Sequence, residues 1–419
     1  MNKANQGTQK AFVLWLSGVP YSAICTLPEV EALLKRGVLL ELEPAMITSP
    51  LSQYYQAFSG RLPSSFGFFD SLVPACHLSS SSRDVDGYTL VEEFAGRDTP
   101  PKMLPDLLRM AGWAVFSEET SPSTLVSCLQ GLLQMEKSSP VCGIVKCSGD
   151  ADSDLTQIED VIRMASAWVG ETGLLAILSE THPATVVSFV NVNNFLAEMG
   201  VMEVNEQSGR INWPNSLAYF AGHGQLWVNL QGRDPEGVVH PGYEYEEVRD
   251  TLVKALPTKL RDMTGAVVIE RVYRKEELYS GDYLFCAPDL VIQFKPGYAP
   301  SQHSLRLEFD EAVCLKPDAG SAALAGVHPS DVRGFLLASS PVLASGVAIP
   351  LPAPLVTVVP TLLHALDVGY VDMDSPAADA LFLPSYLEAH PLPAVIHHQR
   401  LSEEDEELVI NRLRDLGYV

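Results

Sequence analysis

Ala11-Phe-Val-Leu-Trp-Leu16, followed by Ser17-Gly18-Val19-Pro20, is the stretch on which the fold turns. Six apolar residues in a row, without polar alternation, describe a strand covered on both faces, as in a parallel sheet. Ser-Gly-Val-Pro then breaks the strand. Leu27–Arg36 predicts a helix, with Glu29 and Glu31 in its first turn and Gly37 after its end. Val38–Leu42 predicts a second strand. The chain thus opens strand, turn, helix, strand, which is α/β order.

The same alternation runs outward along the chain. Val141–Lys146 and Leu174–Leu178 read as further buried strands, with a helix over Leu155–Val169 between them. Asn191–Met199 and Tyr243–Leu256 read as helices, and Leu226–Leu230, Asp289–Phe294 and Gly334–Ala338 as short strands. Pro360–Leu366 predicts a helix that starts at Pro360, which suits a first-turn proline. Between Ser79 and Pro140 the composition shifts, with a Ser79–Ser82 run, a Pro100-Pro101 break and helical patterns at Pro105–Gly112 and Thr124–Met135. The expected organisation is a core of residues 1–78 and 141–384, a small inserted cap-like region at 79–140, and a tail with a docking helix at 385–419. In that tail Ser402-Glu-Glu-Asp405 resembles a capping box, and Leu408, Ile410, Leu413 and Leu416 form one apolar stripe.

Charge excludes several partners. The chain of 419 residues has 28 Lys+Arg against 52 Asp+Glu, a net −24. A nucleic-acid partner needs a basic face, and an anionic membrane surface needs basic clusters. The acids gather at predicted helix starts, Glu244 to Glu247 and Glu403 to Glu407, as surface charge rather than as a metal cage. No apolar run reaches the ~18 residues of a membrane span. The seven cysteines are scattered without a CxxC, which suggests buried thiols in a reducing, cytoplasmic setting. Phosphate-binding glycine loops (GxGxxG, GxxxxGK[ST]) and the GxSxG and HExxH motifs do not occur.

Several stretches, in order along the chain, resemble the alkaline phosphatase superfamily. The branch is that of predicted phosphohydrolases and phosphomutases related to type I phosphodiesterases and nucleotide pyrophosphatases. The resemblance rests on Gln225-Leu-Trp-Val-Asn-Leu-Gln-Gly-Arg-Asp-Pro-Glu-Gly237, and on Arg271-Val-Tyr-Arg-Lys-Glu-Glu-Leu-Tyr-Ser-Gly281 with Ala287-Pro-Asp-Leu290. It continues through Gly326-Val-His328, Arg333-Gly-Phe-Leu-Leu-Ala-Ser339, Val356-Thr-Val-Val-Pro-Thr-Leu-Leu-His364 and Arg412-Leu-Arg-Asp-Leu-Gly-Tyr418. It implies a three-layer α/β/α sandwich around a mostly parallel central sheet. It also implies an ancestral site in which two zinc or manganese ions flank a Thr or Ser nucleophile. Two such cations offset phosphate charge and stabilise the attacking and leaving oxygens.

Carried over residue by residue, the resemblance implies a degenerate site. Ser17 stands where the family has its first metal-binding Asp. Thr48, in Pro44-Ala-Met-Ile-Thr48-Ser-Pro50, matches the nucleophile, and Ser59-Gly60-Arg61-Leu62-Pro63-Ser-Ser-Phe66-Gly67 follows, with Phe66 in the place of a histidine. The Asp-x-x-x-His pair is missing, leaving Asp150 or Asp152 as a surviving carboxylate. In Ser179-Glu180-Thr181-His182, Glu180 stands in for Asp and His182 is displaced by one residue. His328 keeps both identity and context. His223 reads as a loop residue, and the adjacent His397 and His398 as a poor chelating pair.

Two functions remain open. One is a phosphodiesterase-like fold that has lost two-metal hydrolysis, holds no metal, and acts as a partner in a complex or a homo-oligomer. The other is a zinc- or manganese-dependent phosphohydrolase with a rebuilt site. It would act on a phosphorylated small molecule, with Thr48 as nucleophile and Glu180, His182, His328 and Asp152 as ligands.

Overall fold

The computed structural model describes residues 10–43, 50–70, 72–74, 88–90, 100–121, 124–133, 140–148, 155–180, 186–205, 210–301, 313–315 and 333–393. Its central sheet is built from β1 (Lys10–Ser17), β2 (Val38–Glu43), β3 (Ala114–Thr120), β4 (Val141–Ser148) and β5 (Leu174–Ser179), joined late in the chain by β10 (Gly334–Ser339) and β11 (Val347–Pro354). A second sheet contains β6 (Ala218–Phe220), β7 (Gln225–Val228), β8 (Ile269–Arg274) and β9 (Leu290–Phe294).

The central sheet runs β11-β2-β10-β5-β1-β4-β3. Every pairing is parallel except those of β10, which runs antiparallel to both β2 and β5. β1 lies in the interior between β4 and β5, as its unbroken apolar run requires. Its side chains alternate between two cores. Ala11, Val13 and Trp15 enter one core. Phe12, Leu14 and Leu16 enter the other.

Helices cover both faces. The first core is roofed by α2 (Pro50–Ser59), α3 (Leu104–Met110) and α8 (Val358–Ala365). The second is roofed by α1 (Pro28–Arg36), α4 (Leu125–Leu133) and α5 (Leu155–Val169). α5 shows how sequence makes this layer: Ile158, Val161, Ile162, Ala165, Trp168 and Val169 recur on one helical face and are all buried. The result is the expected three-layer α/β/α sandwich.

Three sequence expectations shift. Within the segment expected as an insertion, Ala114–Thr120 is the edge strand of the central sheet and pairs with β4 in parallel. Its outer half is exposed, so its apolar signal was too weak to mark a strand. α8 starts at Val358, after a 3-10 turn at Leu355–Thr357, and Pro360 lies in its first turn rather than at its first position. α7 (Tyr243–Lys259) extends past the expected Leu256 and contains Pro257. The tail helix expected after Ser402 lies outside the described residues.

The second sheet has order β6-β7-β9-β8 and is antiparallel throughout. With α6 (Val192–Glu198) and α7 it encloses a core of its own, including Val192, Leu196, Leu226, Leu252 and Leu290. Two polar links tie its motifs together, as described below.

Gly334 opens β10 at a point of close approach. A Cβ there would lie 2.3 Å from the Glu180 carbonyl oxygen and 2.4 Å from that of Ser179. Both contacts are backbone, which cannot swing away. Gly334→Ala is therefore expected to lower unfolding stability by about 1–3 kcal/mol, the usual cost of overpacking. Urea denaturation, with an unchanged slope, measures it.

Candidate functional site

The C-terminal ends of β1 and β5 meet where the ancestral site of such a sheet would be built. Trp15 faces Leu178 across the parallel pairing, so Ser17 and Glu180 are carried to the same level two residues later. Alternation puts Trp15 and Ser17 on one face of β1, and Leu178 and Glu180 on the same face of β5.

There Ser17 Oγ donates to Glu180 Oε1 at 2.5 Å. The Trp15 indole Nε1–H donates to the other oxygen, Oε2. The Glu180 side chain is buried, and burial pushes its carboxyl above the ordinary carboxylate range, against the pull of these two hydrogen bonds and of the Lys146 charge. Trp15 is in turn stacked on Tyr54 (centroids 5.0 Å apart) and Phe58 (4.6 Å), both on α2. Lys146 from β4 lies 5.0 Å above the Trp15 ring and bonds Glu119 of β3 at 2.9 Å. An aromatic and cationic lid thus closes over the carboxylate.

Of the residues expected to converge, Ser17 and Glu180 do. Thr48, Asp152, His182 and His328 lie outside the described residues, as do Asp150, His397 and His398. Phe66, in the place of a histidine, is buried at the end of a short helix, Pro63–Phe66. Among the described residues no group of three or more His, Cys, Asp and Glu side chains gathers to hold a metal. Burial raises the thiols of β4, Cys147 to about 11 and Cys142 higher still.

The second sheet carries two buried polar links that periodicity could not reveal. Asp289, in Ala-Pro-Asp-Leu, accepts both Arg233 Nη atoms at 2.8 Å, the Tyr245 hydroxyl at 2.7 Å and the Val228 N–H at 2.8 Å. Lys275 adds a longer contact at 3.4 Å. Although burial opposes the charge, Arg233 and Lys275 hold the Asp289 carboxyl down at about 2. The two stretches of the family resemblance, Gly-Arg-Asp-Pro and Ala-Pro-Asp-Leu, therefore meet in one buried ion pair. Their shared content is architectural: Arg233 and Asp289 staple β7 to β9.

The other link is Asp70–His223. His223 Nδ1 lies 2.7 Å from Asp70 Oδ2, and Gln225 Nε2 donates to the same oxygen at 2.5 Å. His223 sits at φ +43°, between Gly222 and Gly224, both also at positive φ. This left-handed turn lets a hairpin loop aim an imidazole at the segment that follows the Ser59–Gly67 stretch. Burial would discharge the imidazole, but the Asp70 carboxylate wins and raises its pKa.

No family model matches the sequence, and no curated protein does. Solved structures do. Human ectonucleotide pyrophosphatase/phosphodiesterase 5 superposes with a TM-score of 0.56 at 12% identity, over 88% of this chain and 97% of that one. The murine protein superposes with a TM-score of 0.54 at 10% identity and the same coverage. Its inactive variant in complex with AMP gives 0.54 at 11% identity. The chain has the fold of these phosphodiesterases. The shared fold extends over 88% of the chain.

Two stability tests follow from the polar links. Asp289→Ala removes the two-pronged partner of Arg233, which keeps only its contact with Asp234 at 3.1 Å, and is expected to cost about 3 kcal/mol in chemical denaturation. The His223–Asp70 link has a raised histidine pKa. Its contribution is therefore full below the ordinary histidine value and fades as pH rises through the raised value. Wild type is expected to lose stability on that rise, and His223→Gln to flatten the profile.

Proposed function

We propose that this phosphodiesterase-fold chain has lost two-metal phosphoester hydrolysis and serves as a binding or structural partner in a cytoplasmic complex. The observation that carries the reading is the state of Glu180. A metal-binding carboxylate must be deprotonated and must offer its lone pairs to the cation. Glu180 spends Oε1 on Ser17 and Oε2 on Trp15, under stacked aromatic rings. Burial drives its protonation up, which opposes metal binding. Ser17, in the position of the expected first metal-binding Asp, replaces a charged ligand with a hydroxyl that donates to its neighbour. Loss of one metal of a pair removes several kcal/mol of transition-state stabilisation, on the order of a thousandfold or more in rate.

The pair Ser17–Glu180 instead acts as a cross-strand hydrogen bond that closes the sheet end. A fold that keeps its sheet and its buried ion pairs, while Ser17 and Glu180 turn into packing, suits a scaffold that presents surfaces. Metal analysis tests this. After purification and incubation with zinc and manganese, the full chain is expected to hold much less than one metal per chain by mass spectrometry. Hydrolysis of a phosphodiester probe, bis(p-nitrophenyl) phosphate, is expected to be the same for wild type and Thr48→Ala. Two tightly held metals per chain, with activity lost in Thr48→Ala, would establish the rebuilt phosphohydrolase site instead.

A further inference from the structure

A cavity of about 810 Å³ opens at the C-terminal end of α2. Thr48 precedes the N-terminus of this ten-residue helix, whereas Ser59 at its C-terminus lines the cavity. The helix alone spans about 15 Å. The cavity is therefore distinct from the sheet end that holds Ser17 and Glu180. Its size falls in the range of small-molecule sites, about 300–1,000 Å³.

Its walls combine charge with flat apolar surface. Among the described residues that line it, Arg61 and Lys102 are the cations and Asp372 is the carboxylate. Phe66, Tyr283 and Tyr370 supply aromatic faces. Met110 and Val371 stand on its rim, 67% and 77% exposed.

Arg61 is the unusual feature. In a chain with 52 acids and 28 bases, an unpaired arginine is unexpected. Every other arginine whose side chain is described bonds a carboxylate, a hydroxyl or a carbonyl. Arg61 has no such partner among the described residues, and its Nε is buried and unbonded. Ser65 Oγ in the same wall is also buried and unbonded. Lys102 makes no ion pair either.

The backbone beneath Arg61 is fixed. Its N–H donates to Ser59 Oγ at 3.1 Å, the Leu62 N–H donates to Asp374 Oδ2 at 2.6 Å, and the Asp374 N–H donates to the Gly60 carbonyl at 3.1 Å. Gly60 holds φ +70°, and a Cβ there would meet the Met373 sulfur at 2.6 Å. A guanidinium left without a partner on a braced backbone is preorganised to receive an anion. Its planar fork matches a carboxylate or a phosphate with two parallel hydrogen bonds.

We propose that this cavity binds a small anionic molecule with a flat apolar body. Arg61 and Lys102 hold its carboxylate or phosphate, and Phe66, Tyr283 and Tyr370 receive the ring. Asp372 limits the number of negative charges that the site accepts. This site does not depend on the metal status of the sheet end.

Titration calorimetry of the full chain tests it, with phenylphosphonate and phenylacetate as anionic probes and benzyl alcohol as the neutral control. Saturable binding is expected for at least one anionic probe and not for benzyl alcohol, and the stronger probe tells phosphate from carboxylate. Lys102→Met, at an exposed position that leaves folding intact, is expected to weaken it about tenfold, and Arg61→Met by more. Asp372→Asn is expected to tighten it, and Thr48→Ala to leave it unchanged. The proposal is overturned if neither anion binds saturably up to millimolar concentration. It is equally overturned if binding survives both Lys102→Met and Arg61→Met, or disappears in Thr48→Ala.

Discussion

The two-sided burial of β1 is the constraint on which the rest depends. From Ala11 to Leu16 no residue is more than 1% exposed. Its backbone is paired on both edges, by β4 and β5, and its side chains fill two separate cores. Each fully buried large side chain contributes about 1.5–3 kcal/mol. Such a strand can change polarity only at its end, where Ser17 begins the break. Ser17 therefore stands at the one place on β1 where a polar group can reach a neighbouring strand. Register with β5 delivers Glu180 to it.

That geometry shows how a chain with the fold of solved phosphodiesterases closes this strand end with side-chain hydrogen bonds. The sheet needs the strand end closed, and it does not need a metal to close it. A hydroxyl, an indole N–H and a carboxyl form a compact hydrogen-bonded knot, with Tyr54 and Phe58 stacked above the indole. The cost of burying the carboxyl is reduced by giving both oxygens a hydrogen-bond donor.

Buried polar contacts do comparable work in the second sheet. Arg233 and Asp289 pair within a small charge network that also includes Asp234 and Lys275. Asp70 and His223 join the Ser59–Gly67 region to a hairpin loop of that sheet. Charge elsewhere is mostly spent in surface pairs such as Arg271–Glu277 and Arg333–Glu41, each of small worth. Against this background the unpaired Arg61, in a walled cavity, is the exception.

The sequence by itself determined the layer order. Unbroken apolar runs at Ala11–Leu16 and Leu174–Leu178 specify strands covered on both faces, and the 3.6-residue stripe of Leu155–Val169 specifies a helix laid against them. It also singled out Ser17 and Glu180, two positions 163 residues apart that the structure brings into one hydrogen bond. Periodicity did not mark β3, whose outer half is exposed, and motif reading did not show that Arg233 and Asp289 are partners. Only the tertiary structure decided that Glu180 is held by Trp15 as well as by Ser17, that His223 turns onto Asp70, and that Arg61 makes no ion pair among the described residues. Periodicity states which face a side chain occupies. Which residue, distant in sequence, lies across from it is set by strand register and by the close approach of layers, and these are properties of the packed chain.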